Sequence, residues 1–474
     1  MDRLRNFFLL FLSAASSATA TWPEKPHAFI QTVIKDPTTN LYFTSMDIGT
    51  NKTVVSLSLV IDLSQPYTWF DCFSGYYSVS YTSIDFHSPK CKLPKFSNPH
   101  NVPKPDWYVC SGAGEKVEPG CSDHPCGVNP YNPVDNTLLN GSLSEDRMFF
   151  YSIPDGLSFG YRLNSPPVIF ACVGRKSYNG FPAEAQGMLS LSRNPLSLPS
   201  QLSSAVNLFP QKFALCLPSK TEDSGFGDLF IGGGPYFLPP YQEDASRLFT
   251  TVSLITNAAS SDEYFFQVKS IKIDEKVVPL RNPILSKLST VVPFTVLHHS
   301  IYEAFVKEFK AKALLKKMVE TETMVSPFEL CYRMKKSFKM EDVPVIDLTV
   351  GSGDGRWRIY GWNSMVVVKK GVMCLAFVRG GRDREEIVIG GYQMEDNLQR
   401  DGVSEETRFD GMDSEGSGEG FVTRGSLFAI EMDLAAAAQV SKNGAEPPRS
   451  MARLTLMGRL LTPLGFDMPM DKGQ

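Results

Sequence analysis

VVSLSLVIDLSQPYTWFDC, residues 54–72, begins as an apolar, β-branched run of strand length and breaks at Asp62 into a polar turn. An Asp that leaves an apolar strand is a poised carboxylate. Apolar walls favour its neutral form, and a second carboxylate beside it would share its proton and activate a water. The same Asp could instead cap the turn at the strand end through its own side chain. The choice rests on whether a partner carboxylate exists elsewhere in the chain.

Working outward, runs of the same kind recur at Val168–Val173, Gly227–Ile231, Phe265–Ile273, Val343–Val350, Arg356–Tyr360, Met365–Val368, Met373–Val378 and Glu386–Ile389, bounded by Gly, Pro, Asn and Ser. Many short strands with turn punctuation indicate an all-β sandwich or barrel class rather than βαβ units. Helical periodicity is scarce. The best case is Ser300–Leu315, where Ile301, Phe305, Phe309 and Leu314 or Leu315 recur behind Ser300 as N-cap, and a shorter helix is expected at Pro199–Val206. The Gly/Pro-rich segment Gly232–Gln242 places a lobe boundary near residues 235–250. Past Gln399 the texture changes to an acidic Gly/Ser-rich stretch and an alanine run, so residues 400–474 read as a disordered or foreign tail.

The 474 residues are 42% hydrophobic and 21% charged, which is ordinary globular usage, and 47 Lys+Arg against 51 Asp+Glu give a net charge of −4. No basic stripe supports binding to nucleic acid or to an anionic membrane, and neither partner is expected. Arg3 and Arg5, the apolar run Phe7–Leu12 and the Ala18-Thr19-Ala20 site read as a signal peptide over residues 1–20, which places the protein outside the cell. The triplets beginning at Asn51 and Asn140 fit N-x-[ST] and are expected as glycosylation acceptors in that compartment.

Nine cysteines follow, at 72, 91, 110, 121, 126, 172, 216, 331 and 374. In an oxidising compartment they should mostly pair, and an odd number leaves one over. A zinc site at Cys91, Cys110, Cys121 and Cys126 lacks paired C-x₂-C spacing, so disulfides are preferred. Adjacent His298 and His299 would point in different directions and are poor candidates for one metal. The glycine-rich Gly351–Gly355 has no helix after it to receive a phosphate and reads as a hairpin turn. No cofactor is expected.

Asp62 with Trp69 and Cys72 resembles the first active-site segment of pepsin-like aspartic proteases. The chain more closely resembles the plant xylanase-inhibitor-like proteins, the group of extracellular dermal glycoproteins and basic 7S globulins. The matching stretches are Gly187–Arg193 with Leu196–Leu202, Phe213–Cys216, Ile231–Tyr236, Phe328–Tyr332, Trp357–Gly361, Asn363–Val366 and Ile389–Leu398. They occur in order over residues 28–399. The resemblance implies a mainly β, bilobal, pepsin-like acid-protease fold with a cleft between two antiparallel β lobes, one over residues 28–240 and the other over 250–399. It also implies that Cys331 and Cys374 form a disulfide. Cys216 resembles the family position that pairs with a cysteine near the C-terminus, and none follows Gln399 here, so the resemblance implies that Cys216 keeps its thiol.

Active members of this group carry a glycine in the Asp turn, where this chain reads Asp62-Leu63-Ser64. They carry a second Asp in the other lobe. The corresponding window here is Lys287–Phe294, which has no acidic residue, so the second Asp is replaced within Lys287, Leu288 and Ser289. Lys287 is expected to favour Asp62 as an anion. The segment corresponding to the flap, Asn132–Glu145, lacks the usual tyrosine, and Tyr131 is the nearest candidate. One carboxylate cannot both accept a proton from water and donate one to a carbonyl in a two-group mechanism. With cleavage disfavoured, the resemblance implies inhibition of a microbial glycoside hydrolase, of xylanase or xyloglucan endoglucanase type, by a secreted monomer in plant defence. An active aspartic endopeptidase with Asp62 as one catalytic group is the alternative, and a storage or signalling globulin is the third reading.

Overall fold

Strands buried over much of their length build the first lobe. Strands Ala28–Lys35, Tyr42–Thr50 and Thr53–Asp62 run as an antiparallel meander. The computed structural model describes residue 26 and residues 28–395 apart from 51–52, 74, 94–103, 106–123, 154–159, 175–177, 207–209, 220–225, 237–248, 258–259, 281–282, 323–324, 336, 351–354 and 382–385, together with 426–431 and 453–457. The expected signal peptide, Asn51, Cys110 and Cys121 lie outside these described residues. So does most of the Gly351–Gly355 turn.

Leu59, Val60 and Ile61 are fully buried, because the far end of their strand is covered on both faces. That is why it reads as an unbroken apolar run rather than an alternating one. Strand Thr53–Asp62 pairs in parallel with Ala185–Ser190, bringing Ser190 opposite Asp62. The short strand Trp69–Asp71 then pairs with Ala185–Ser190 from its other side and in parallel with Val168–Val173.

The second lobe repeats this arrangement. Ile284–Leu288 pairs in parallel with Ile387–Ile389, while Thr295–Leu297 pairs antiparallel with Ile387–Ile389 and in parallel with Phe377–Arg379. Phe265–Ile273 and Ile346–Val350 extend the sheet. The helix runs His299–Leu315 with His298 at its N-cap, and Ser300 Oγ lies 2.9 Å from His298 Nδ1 instead of capping the helix. Its buried stripe is Ile301, Tyr302, Phe305, Phe309 and Ala313, whereas Leu314 and Leu315 are exposed. From Phe309 the next inward position is four residues on, at Ala313, so the expected Leu at the end of the stripe is corrected by the 3.6-residue turn.

Within the stretch expected as a disordered or foreign tail, two short strands are described. Ser426–Glu431 pairs antiparallel with Lys212–Leu217, and Arg453–Met457 pairs with both Ser426–Glu431 and Phe249–Ser253. The acidic and alanine-rich sequence around these two short apolar runs hides them in any window average, but free sheet edges select them by backbone pairing.

Three disulfides join described residues: Cys72–Cys172, Cys91–Cys126 and Cys331–Cys374. Cys216 is a buried thiol in Lys212–Leu217. The lobes are also tied by a buried ionic cluster. Lys35 Nζ lies 2.7 Å from Glu395 Oε1, Tyr42 Oη donates to the same oxygen, and the ammonium sits 5.5 Å from the centre of the Tyr392 ring.

Candidate functional site

Strand register fixes which residues of the two lobes correspond. In the first lobe Met188 pairs with Val60 on one side and Trp69 on the other. In the second lobe Val388 pairs with Lys287 and Val296 in the same two senses. Val60 and Trp69 are as far apart in sequence as Lys287 and Val296, so the two turns superpose without a gap. Asp62 therefore corresponds to Ser289, Leu63 to Thr290 and Ser64 to Val291. Of the three residues in the expected window, Ser289 alone stands at the second acidic position. Leu288 is a buried strand residue, and Lys287 faces elsewhere.

Thr290 Oγ1 donates to the Ile61 carbonyl at 2.6 Å, which draws the two turns against each other across the lobe boundary. Asp62 follows Ile61 and Ser289 precedes Thr290, so this bond sets the carboxylate and the serine at adjacent positions of one crossing. The reciprocal bond has no counterpart, because Leu63 has no hydroxyl. Tyr264 Oη adds a second tie to the Leu191 carbonyl at 2.6 Å, and the Leu191 amide donates to the Asp62 carbonyl at 2.8 Å.

Asp62 is only 1% exposed. Ser64 is its local partner: the amide donates to Oδ1 at 3.0 Å, and the hydroxyl lies 2.9 Å from Oδ1 and 3.0 Å from Oδ2. This is the turn-capping geometry that the sequence left open beside the catalytic role. Burial pushes the Asp62 pKa up to about 6 against the opposing pull of the Ser64 hydrogen bonds, and the negative charge of Glu263 raises it further.

Lys287 does not hold Asp62 as an anion. Its ammonium is 2.8 Å from Glu263 Oε1 and lies over the Phe265 ring, so its charge is spent on that pair and Asp62 moves in the opposite direction. Glu263 and Thr290 were invisible as site residues in the sequence. Glu263 is an ordinary acid in the bend before the strand Phe265–Ile273, and only the Phe265–Lys287 pairing brings it beside Lys287.

Trp69 is fully buried against Tyr178 and Phe181, with ring centroids 5.7 and 5.8 Å away. Its Nε1 has no hydrogen-bond partner among the described residues. Tyr131 lies on the Tyr131–Asn132 and Thr137–Leu138 hairpin, and its hydroxyl donates back to Asn136 of the same hairpin. Asn140 is exposed at the base of that hairpin, with Oδ1 accepting from Asn129 Nδ2 at 3.0 Å. His298 and His299 have different partners: His299 Nδ1 lies 2.8 Å from Arg379 Nη1, and His298 binds Ser300.

The site thus offers one buried carboxyl whose pKa burial raises, and the Ser289 hydroxyl where a two-acid mechanism needs a second carboxylate. A hydroxyl there can donate or accept a hydrogen bond but cannot serve as the anionic base.

Comparison with known proteins places the chain among relatives of the same architecture. Residues 42–233 match the family model described as xylanase inhibitor N-terminal, and residues 263–405 match the one described as xylanase inhibitor C-terminal. The chain is 35% identical over 413 residues to "Probable aspartic proteinase GIP2" of Nicotiana benthamiana, covering 82% of this chain and 90% of that protein. It is 34% identical over 416 residues to "Gamma conglutin 1" of Prunus dulcis, covering 83% of this chain and 90% of the other. Among solved structures, the crystal structure of edgp superposes with a TM-score of 0.73 at 29% identity, covering 92% of this chain and 96% of that one. The basic 7S globulin from soybean superposes with a TM-score of 0.64 at 25% identity, covering 78% and 91%.

Proposed function

The chain belongs to the xylanase-inhibitor-like family of pepsin-like proteins, and we propose that it is a secreted, non-cleaving member that binds and inhibits a microbial glycoside hydrolase of xylanase or xyloglucan endoglucanase type in plant defence. The observation that carries this reading is Ser289 holding, in the register of the second lobe, the position that Asp62 holds in the first. With one of two cooperating groups lost, the rate through a two-carboxylate route falls by several orders of magnitude. The cleft then has no hydrolytic use, and binding is the role that the family leaves. Glycosylation at Asn51 and Asn140 belongs to the same reading, since both would be modified during secretion.

A second reading rests on Asp62 itself. Its pKa of about 6 keeps a proton available in mildly acidic surroundings, and one relative is named a probable aspartic proteinase. An endopeptidase of this kind would need a second acid to act with Asp62. The storage or signalling role is supported only by relatives named gamma conglutin and basic 7S globulin.

Incubation of the folded, secreted protein with a mixed peptide library between about pH 3 and 6, with and without pepstatin, separates the first two. No cleavage, together with saturable suppression of a fungal xylanase or xyloglucanase on titration, is the expected result. Pepstatin-sensitive cleavage would overturn the inhibitor reading.

A further inference from the structure

Two of the six histidines, His87 and His124, are distant in sequence and stand side by side on the first lobe. An isolated antiparallel bridge pairs Asp85 with Pro125, the Phe86 amide donates to the His124 carbonyl at 2.8 Å, and the Cys126 amide donates to the Ile84 carbonyl at 2.8 Å. The disulfide Cys91–Cys126 closes the same corner. Past the bridge the chain turns, with Asp85 Oδ1 accepting from the His87 amide at 2.7 Å. The backbone of both segments is thus fixed before any ligand arrives, and a ligand that uses both side chains has little else to order.

Both histidines are exposed, and their ring centres lie 6.2 Å apart with planes at 82°. The Phe86 ring is 5.3 Å from that of His87 and packs against the buried cluster that contains Trp69. Lys90, the next cation along the chain, is paired with Glu145. A first-row transition metal sits about 2.0–2.1 Å from an imidazole nitrogen and hence roughly 3 Å from the ring centre, so two rings sharing one ion have centres about 5–6.5 Å apart. The observed separation already falls in that range.

No group of three or more His, Cys, Asp and Glu side chains is placed to hold a metal among the described residues, so an ion here keeps water at its other positions. Two nitrogens completed by oxygen suit the tetragonal preference of Cu(II), which also heads the affinity order of the divalent ions. His298 and His299 show the contrast: adjacent in sequence, they have Ser300 and Arg379 as separate partners.

We propose that His87 and His124 form a two-imidazole site for a divalent transition-metal ion, with Cu(II) bound more tightly than Zn(II). The site uses no residue of the Asp62 cleft, so it stands or falls independently of the inhibitor reading.

The test is titration of copper(II) chloride into the full-length, untagged protein with its disulfides intact, read by calorimetry and by electron paramagnetic resonance of the bound ion. Saturable binding with the nitrogen hyperfine pattern of two imidazoles is expected. H87A and H124A should each weaken binding by at least about tenfold, the loss that removal of even an outer-shell partner brings. The double variant should lose little more than either single one, because one remaining imidazole cannot chelate. H298A should bind as the parent does, and zinc chloride should bind the parent more weakly than copper. Affinity unchanged in both folded single variants, or only one coordinated nitrogen in the parent, would overturn the site.

A second measurement needs no variant. Saturating copper should protect both His87 and His124 of the parent from diethylpyrocarbonate, mapped by peptide mass, while His298 stays reactive. Undiminished modification of His87 and His124 at saturation would refute the assignment.

Discussion

Replacing Asp62 by Asn tests the electrostatics of the cleft most directly. The carboxyl moves from 3.8, its ordinary value, to about 6 in the folded protein, and burial is the main cause. A folded pKa above the unfolded one means that the folded state holds the proton more tightly. Asp62 therefore costs no stability below about pH 3.8, and its penalty grows through the window up to about 6 and is complete above it. A shift of about two units corresponds to roughly 3 kcal/mol at neutral pH. Asn keeps an oxygen for the Ser64 amide and hydroxyl and carries no charge. We expect D62N to be more stable than the parent by about 2–3 kcal/mol at pH 7.5 and nearly equal to it at pH 3. Denaturant titrations of both proteins with disulfides intact, at a series of pH values, read the difference in midpoint. A stability difference that is flat with pH would refute a buried, proton-retaining Asp62. So would a difference that grows toward acid, the sign expected of a carboxylate stabilised as an anion.

Restoring the two-acid turn with S289D together with L63T and S64G should give pepstatin-sensitive cleavage at acid pH above the level of the parent, read on the same peptide library; a folded triple variant with no such gain would mean that Ser289 is not the only catalytic loss. T290V removes the hydroxyl that satisfies the Ile61 carbonyl and should cost about 1–3 kcal/mol, with T290S recovering most of it, as measured by thermal or denaturant melts. E395Q leaves the buried Lys35 ammonium without its counter-charge and should cost about 3–5 kcal/mol, whereas the paired replacement K35M with E395Q should cost much less; equal losses in single and double variants would show that the pair is not coupled. Removing Cys331 and Cys374 together as alanines should cost about 4 kcal/mol from loss of the loop constraint, seen as a lower denaturant midpoint than that of the oxidised parent.

The sequence by itself determined the strands and the first acid. Val168–Val173 and Phe265–Ile273 have the same bounds in the structure as in the apolar pattern, because burial on a face is recorded by neighbours a few residues apart. Asp62 stood out for the same local reason, as a charge at the end of a run buried on both faces. Which residue opposes it was a tertiary question. The expected window held Lys287, Leu288 and Ser289, and local sequence cannot choose among them, since a one-residue slip exchanges the faces of a strand. The pairings of Met188 and Val388 chose Ser289, and the Thr290 bond to Ile61, 229 residues away in sequence, brought the two turns together. Burial reversed the expected direction of the Asp62 titration, with a smaller push from Glu263, and Lys287, paired with Glu263, does not offset it. The tail strands were missed for a tertiary reason too. Short apolar runs in polar surroundings carry little signal alone, and the open edges of Lys212–Leu217 and Phe249–Ser253, brought near each other only by folding, give them their backbone partners.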